Sequence, residues 1–160
     1  FNASFDAEGM PKKRVLLIDG GRLRGFLQTA YSANRMGVEA TGNAVRESFR
    51  HLPSPGPSNL SIEPGEEPIE ALWAAAEDGV HVSDIMGMHT ADPISGDFSV
   101  GINGFRIRDG MPAEPIGEMT LSGNLLQLLG GVRLVGRGRV FIGPYGAPPL
   151  LVEGLSVSGT

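Results

Sequence analysis

Asp97-Phe-Ser-Val-Gly-Ile-Asn-Gly-Phe-Arg-Ile-Arg108, followed by Asp109-Gly110 and a return over residues 113–121, is the stretch that decides the fold. Phe98, Val100, Ile102, Gly104, Arg106 and Arg108 point to one side of an extended chain. Ser99, Gly101, Asn103, Phe105 and Ile107 point to the other, a period of two that belongs to a strand. The apolar set changes side near Gly104, which predicts a bulge there. Asp-Gly takes positive φ readily, so Asp109-Gly110 predicts a tight antiparallel hairpin.

Working outward, Arg14-Val-Leu-Leu-Ile18 reads as a short strand covered on both faces, and Asp19-Gly20-Gly21 turns it toward residues 22–27. Thr29 offers a cap and Gly37 a stop for a short helix. Leu52-Pro-Ser-Pro-Gly-Pro-Ser58 is a loop by composition, and residues 59–62 a brief strand. The best helix is expected over residues 66–79. Pro68 suits its first position, Glu66, Glu67 and Glu70 suit the positive end of its dipole, and Ile69, Leu72, Trp73 and Ala76 share a face. Val80, Val82 and Ile85 then read as a strand. Beyond the hairpin, Ser122 is expected to cap a helix over residues 124–129, with three short strands at 132–135, 139–142 and 150–157. No long linker interrupts residues 1–160, which reads as a single domain. Many strands, two or three short helices and no regular β-α alternation define an α+β class, a mixed or antiparallel β-rich sheet curled as a partial barrel.

Composition narrows the function. Glycine (24) and proline (12) exceed a fifth of the 160 residues, against a usual share of about 12%. With 41% hydrophobic residues this means many turns rather than disorder. The absence of cysteine excludes a disulfide scaffold, a thiol nucleophile and a cysteine-ligated metal. No apolar run approaches the ~18 residues of a membrane span and no signal peptide opens the chain, so a cytoplasmic location and no membrane partner are expected. A net charge of -5 disfavours nucleic acid. The chain opens on Phe1 rather than Met, which reads as the C-terminal part of a longer chain.

Chemistry-bearing residues are sparse. His51, His81 and His89 are the three histidines, and no pair has the i, i+4 spacing of a helical metal motif. His81, between Val80 and Val82, reads as structural; His89, in Met88-His89-Thr90-Ala91-Asp92, sits where function more often sits. Asp6 and Glu8 beside Gly9, and Asp97 beside Gly96, read as carboxylates that bond nearby backbone. Ser95 and Ser4 have no partnered base, and G-x-S-x-G is absent. Gly136-Arg-Gly-Arg139 lacks the phosphate-binding glycine pattern, and Arg133, Arg137 and Arg139 read as the solvated face of an edge hairpin.

An ordered set of segments carries a resemblance. These are Phe5-Asp-Ala-Glu-Gly9, Tyr31-Ser-Ala-Asn-Arg-Met-Gly37 leading to Thr41-Gly42-Asn43, Pro57-Ser-Asn-Leu60 before Pro64-Gly65, and Gly87 through Ser95-Gly-Asp-Phe-Ser99. Gly104-Phe105, Asp109-Gly110, Pro115-Ile116, Leu121-Ser-Gly-Asn-Leu125 and the closing Pro149-Leu-Leu-Val with Leu155-Ser-Val-Ser-Gly159 complete it. Together they resemble the C-terminal domain of the TldD/PmbA family, also called modulators of DNA gyrase, over essentially the whole chain.

The resemblance implies a subunit of a cytoplasmic metallopeptidase assembly that processes unfolded peptides. A TldD-type subunit of that family carries H-E-x-x-x-H, completed by a cysteine near the C-terminus; a PmbA-type (TldE) partner lacks it and pairs with the TldD-type subunit around a proteolytic chamber. The family's H-E-x-x-x-H lies upstream of Asp6-Ala-Glu-Gly9, where this chain begins, but residues 143–149 cover the cysteine's region without one and the Gly87–Phe105 and Leu121–Leu125 segments resemble the PmbA type, so the chain is expected to be PmbA-like. No cofactor is expected in this chain, and zinc in the full assembly. The implied partners are a second TldD/PmbA-type subunit, as homo- or heterodimer, and a peptide. Thr41, Gly42, Asn43, Asn59, His89, Ser95 and Asp97 are the candidates for lining the peptide cavity, since glycine-containing polar turns let a substrate backbone approach. No catalytic and no metal residue is assigned. Two alternatives stand beside this reading: a catalytic zinc metallopeptidase whose motif lies upstream, and a non-enzymatic protein- or DNA-binding modulator.

Overall fold

Residues 3–159 are described by a computed structural model. In chain order the elements are β1 (Ile18–Asp19), β2 (Arg22–Leu23), α1 (Ala30–Met36), β3 (Ala44–Val45), β4 (Ser54–Pro55), β5 (Leu60–Ser61) and α2 (Ile69–Ala76). Then come β6 (Gly79–Met86), a 3-10 turn (Met88–Thr90), β7 (Asp97–Arg108), β8 (Met111–Asn124), α3 (Leu125–Gly130), β9 (Val132–Val135), β10 (Val140–Ile142), β11 (Tyr145–Ala147), β12 (Leu150–Val152) and β13 (Ser156–Ser158). Backbone contacts group the described residues into two compact units, one of those up to residue 61 with 141–146 and one of 62–140 with those from 147 on.

The second unit is built on the expected hairpin. β7 and β8 pair from Asp97↔Asn124 to Arg108↔Met111, and Asp109 (φ 50) and Gly110 (φ 71) form the turn with both central residues at positive φ. Register slips between Ile102 and Gly104 and again between Phe105 and Ile107, where the alternation changes side. β6 slips opposite the same place, between Val82 and Asp84. Gly104 is required there because a Cβ would lie 1.8 Å from the His81 carbonyl oxygen. The sheet runs β13-β8-β7-β6, and its buried centre is Val100, Ile102 and Met119, packed by Val80, Val82, Phe98, Ile116 and Leu121.

Helix α2 is shorter than expected. Glu67 is drawn into strand-like pairing: it bridges Gly136, and its carbonyl accepts from the Arg137 amide at 2.6 Å. Pro68 is therefore the cap rather than the first helical residue, and Glu77 at φ 54 ends the helix. Asn124, not Ser122, caps α3, its side chain accepting from the Leu126 amide at 2.9 Å. Ser122 stays in β8, with its hydroxyl 3.1 Å from that of Ser99. The expected strand over 150–157 divides at Gly154 (φ 83) into β12 and β13.

The first unit is held more by polar bonds than by apolar burial. Thr29 caps α1 in a reciprocal box with Ser32, and Gly37 at φ 67 closes it. Its buried residues include Ala33 and Ala44, with Gln28 and Thr29 beside them. Strands β1 and β2 are two residues each, turning through Gly20 and Gly21. The expectation of a strand covered on both faces fails at this point: Leu16 and Ile18 are half exposed. β5 pairs in parallel with β11, which the sequence pattern did not announce.

The class is thus β-rich α+β with three short helices. The strands of the described residues fall into five separate sheets, each an open series, rather than one sheet curled as a partial barrel.

Candidate functional site

Two of the expected lining residues come together around one asparagine. Asn124 donates from its Nδ2 to the Asp97 carboxylate at 2.7 Å and to the Ser95 carbonyl at 2.9 Å. The Ser95 hydroxyl accepts from the Asp97 amide, and Asp92 takes the Ile94 and Ser95 amides on one carboxylate oxygen. Those backbone bonds, foremost that of Ile94, lower the Asp92 carboxyl below its ordinary value. The 92–97 loop is therefore rigidly tied to the β8–α3 corner, with Ser95, Asp97 and the apolar Ile94 exposed. His89 lies apart from that knot in the 3-10 turn and is exposed.

Thr41, Gly42 and Asn43 lie in the first unit. The Thr41 hydroxyl accepts from the Gln28 amide at 2.7 Å and donates to the Gln28 carbonyl at 3.0 Å. Gly42 (φ 69) is buried against Pro11, whose carbonyl oxygen would lie 2.3 Å from an added Cβ. The backbone that comes close to this glycine is the chain's own. Asn43 keeps a buried side-chain oxygen without a hydrogen-bond partner. Its neighbour Ala44 donates to Asp6, which also takes the Glu8 and Met10 amides. Partial burial alone would raise the Asp6 carboxyl; the Ala44, Met10 and Glu8 amides and the nearby Lys12 charge outweigh it and hold it low. Glu8 receives the Ala30 amide at 2.6 Å, so Asp6 bonds nearby backbone as its sequence setting suggested, while Glu8 reaches the start of α1, 22 residues away. Asn59 is exposed just before β5.

A third arrangement escaped sequence reasoning. In the second unit, α2 borders an apolar groove of about 510 Å³ that includes Leu72, Trp73, His81, Ile107, Leu121 and Leu150 among its walls. The Trp73 Nε1 donates to His81 Nδ1 at 3.3 Å, and the His81 ring stacks on Phe105 with centroids 4.4 Å apart. Trp73 meets both rings edge-on. Burial holds His81 below the ordinary histidine value. The only signals for this cluster were the apolar face of α2 and the alternation of β6, neither of which names the pair that meets.

The zinc implied by the family resemblance does not fit these residues. Among the described residues, no three of His, Asp and Glu converge to hold a metal ion. His51 bonds Ser48 through Nδ1 at 2.8 Å, His81 is engaged by Trp73 and Phe105, and His89 is in an exposed turn. Among the described residues no helix is long and apolar enough to cross a membrane.

A β-rich α+β domain with tied loops, whose described residues gather no metal-ligand cluster, is matched over residues 1–159 by the PmbA/TldA metallopeptidase C-terminal domain. The chain belongs to this family. It is 28% identical to the metalloprotease TldD homolog of Buchnera aphidicola from Schizaphis graminum over 98% of its length and 35% of that protein's. It superposes with a TM-score of 0.88 on a candidate modulator of DNA gyrase from Thermotoga maritima, at 35% identity, covering 98% of this chain and 35% of that one. TldE from Thermococcus kodakarensis gives the same TM-score at 27% identity, covering 98% and 36%. The chain thus spans about a third of the length of these relatives.

Proposed function

We propose that this chain is the C-terminal domain of a PmbA (TldE)-like subunit in a cytoplasmic metallopeptidase assembly that processes unfolded peptides. The observation that carries the reading is a family match over residues 1–159 in a chain whose described residues gather no metal ligands. In this reading the domain supplies dimer surface and a wall of the peptide cavity, and the zinc is bound elsewhere in the assembly. The partner is a second TldD/PmbA-type subunit, the same or different. Exposed apolar side chains support a buried role in a larger body: Ile94 is 96% exposed, Leu126 77%, Phe49 82% and Leu52 89%. A net charge of -5 favours a peptide over nucleic acid.

Thr41, Gly42, Asn43, Asn59, His89, Ser95 and Asp97 remain the proposed lining. Asn59, His89 and Ser95 are exposed enough to report on it. A photoreactive benzoylphenylalanine at each of these three positions, in the full-length protein with its partner, is expected to cross-link an unfolded carboxymethylated peptide probe. The same group at Arg24, on the β1–β2 hairpin, is the comparison. No cross-link from any of the three, with hydrolysis of the probe intact, overturns the cavity-wall reading.

A further inference from the structure

We infer that Trp73, His81 and Phe105 form a pH-sensitive latch that holds the Trp73 side chain of α2 against β6 while His81 is neutral and releases it when His81 is protonated. Indole Nε1 is a donor only, so the 3.3 Å contact requires His81 Nδ1 to accept, with the ring proton on Nε2. Protonation puts a hydrogen on Nδ1, and two donors then face each other across that distance. The stack on Phe105 offers the cation a π face, but the ring is partly buried, and burial disfavours the charged form.

No charged group along the groove compensates. Its walls contain no Asp, Glu, Lys or Arg, and His81 is its one titratable residue. Around it, Glu70 of α2 and Glu77 at its C-terminal cap are not among the walls, and neither are Asp78 and Asp84, three residues to either side of His81. Arg106 and Arg108 of β7 engage Glu114 of β8, Glu118 of β8 is exposed, and Glu153 after β12 pairs with Arg133.

The ends of α2 are fastened independently of the rings. The Glu67 carbonyl accepts from the Arg137 amide at 2.6 Å, and the Glu77 carbonyl from the Gly110 amide at 2.8 Å. Gly110 also sits so close to Ala74 that an added Cβ would lie 2.9 Å from the Ala74 Cα. Ala74 and the buried Leu72 keep the middle of the helix packed, so loosening the rings frees the Trp73 side chain and its edge of the apolar groove without detaching α2. Because folding lowers the affinity of His81 for a proton, the contact is complete above the ordinary histidine value of about 6.5 and is lost as pH falls through the lower value in the fold.

The test uses full-length protein labelled with 5-fluorotryptophan, the Trp73 fluorine resonance being identified by its loss in Trp73→Phe. Between pH 7.5 and 5 that resonance is expected to move in one protonation step with a midpoint below about 6.5. Protection of the Trp73 indole N–H against exchange is expected to fall about tenfold over the same step. Both changes should vanish in His81→Phe, which keeps the stack without titrating. His81→Asn, which keeps an acceptor, serves if that variant does not fold. A flat Trp73 resonance, or an equal shift in the non-titrating variant, overturns the latch. Neither readout involves peptide cleavage, so the result stands apart from the proposed function.

Discussion

Asp6 concentrates much of the first unit's order in one carboxylate. It accepts from the amides of Glu8, Met10 and Ala44, the last 38 residues away in sequence. Removing such an acceptor leaves donors without partners, which costs more than the bond itself contributes. Asp6→Asn puts an amide nitrogen where a carboxylate oxygen now receives a backbone N–H, and is expected to cost about 1–2 kcal/mol at pH 7. The sign of the pH dependence follows from the lowered carboxyl. Its contribution is present above the ordinary carboxylate range and is lost as pH falls through the folded value. Urea unfolding at pH 7 and pH 3 should therefore show a gap between wild type and variant that narrows in acid. An equal gap at both pH values would mean that the charge of Asp6 is not what orders this turn.

At the level of elements, the β7–β8 hairpin and its irregular middle are the decisive feature. Gly104→Ala would drive a Cβ to within 1.8 Å of the His81 carbonyl oxygen, so β6 must shift. A loss above about 2 kcal/mol is expected, read as a lower thermal midpoint, with faster exchange in β6 than in β8. A variant as stable as wild type would show that β6 is not held at this register. The hairpin was legible because its signals are local: alternation, an Asp-Gly turn, and a change of side near Gly104. The capping of α1 by Thr29 and Gly37 was legible for the same reason. The parallel pairing of Leu60 with Tyr145 was not, since nothing near either residue encodes a partner that distant. The start of α2 was misread because a bridge from Gly136 overrides the helical preference of Glu67. At the candidate site, the turn-holding role of Asp6 followed from a carboxylate close to glycine, whereas Glu8 bonds the distant Ala30 amide and Asp97 the Asn124 side chain. The roles of Asn124 and of the Trp73–His81 pair arise only from tertiary contact.

For the whole molecule, the exposed surface is 11063 Å². A monomeric protein of this mass exposes about 7,600 Å², and two separate domains of half the mass about 9,200 Å². Such a surplus, with few buried apolar side chains, is what a domain shows when further protein covers it. The surplus fits a chain that spans about a third of its relatives. The proposed division of labour, with this domain building wall and contact surface and the metal bound elsewhere in the assembly, rests on the family match and on the described residues gathering no metal-ligand cluster. The most direct measurement is the zinc content of the full-length protein, purified with its partner, after combining His51→Ala, His81→Phe and His89→Ala in this chain. The account predicts the same zinc per assembly as in the unaltered protein. Loss of bound zinc on replacing these histidines would contradict it.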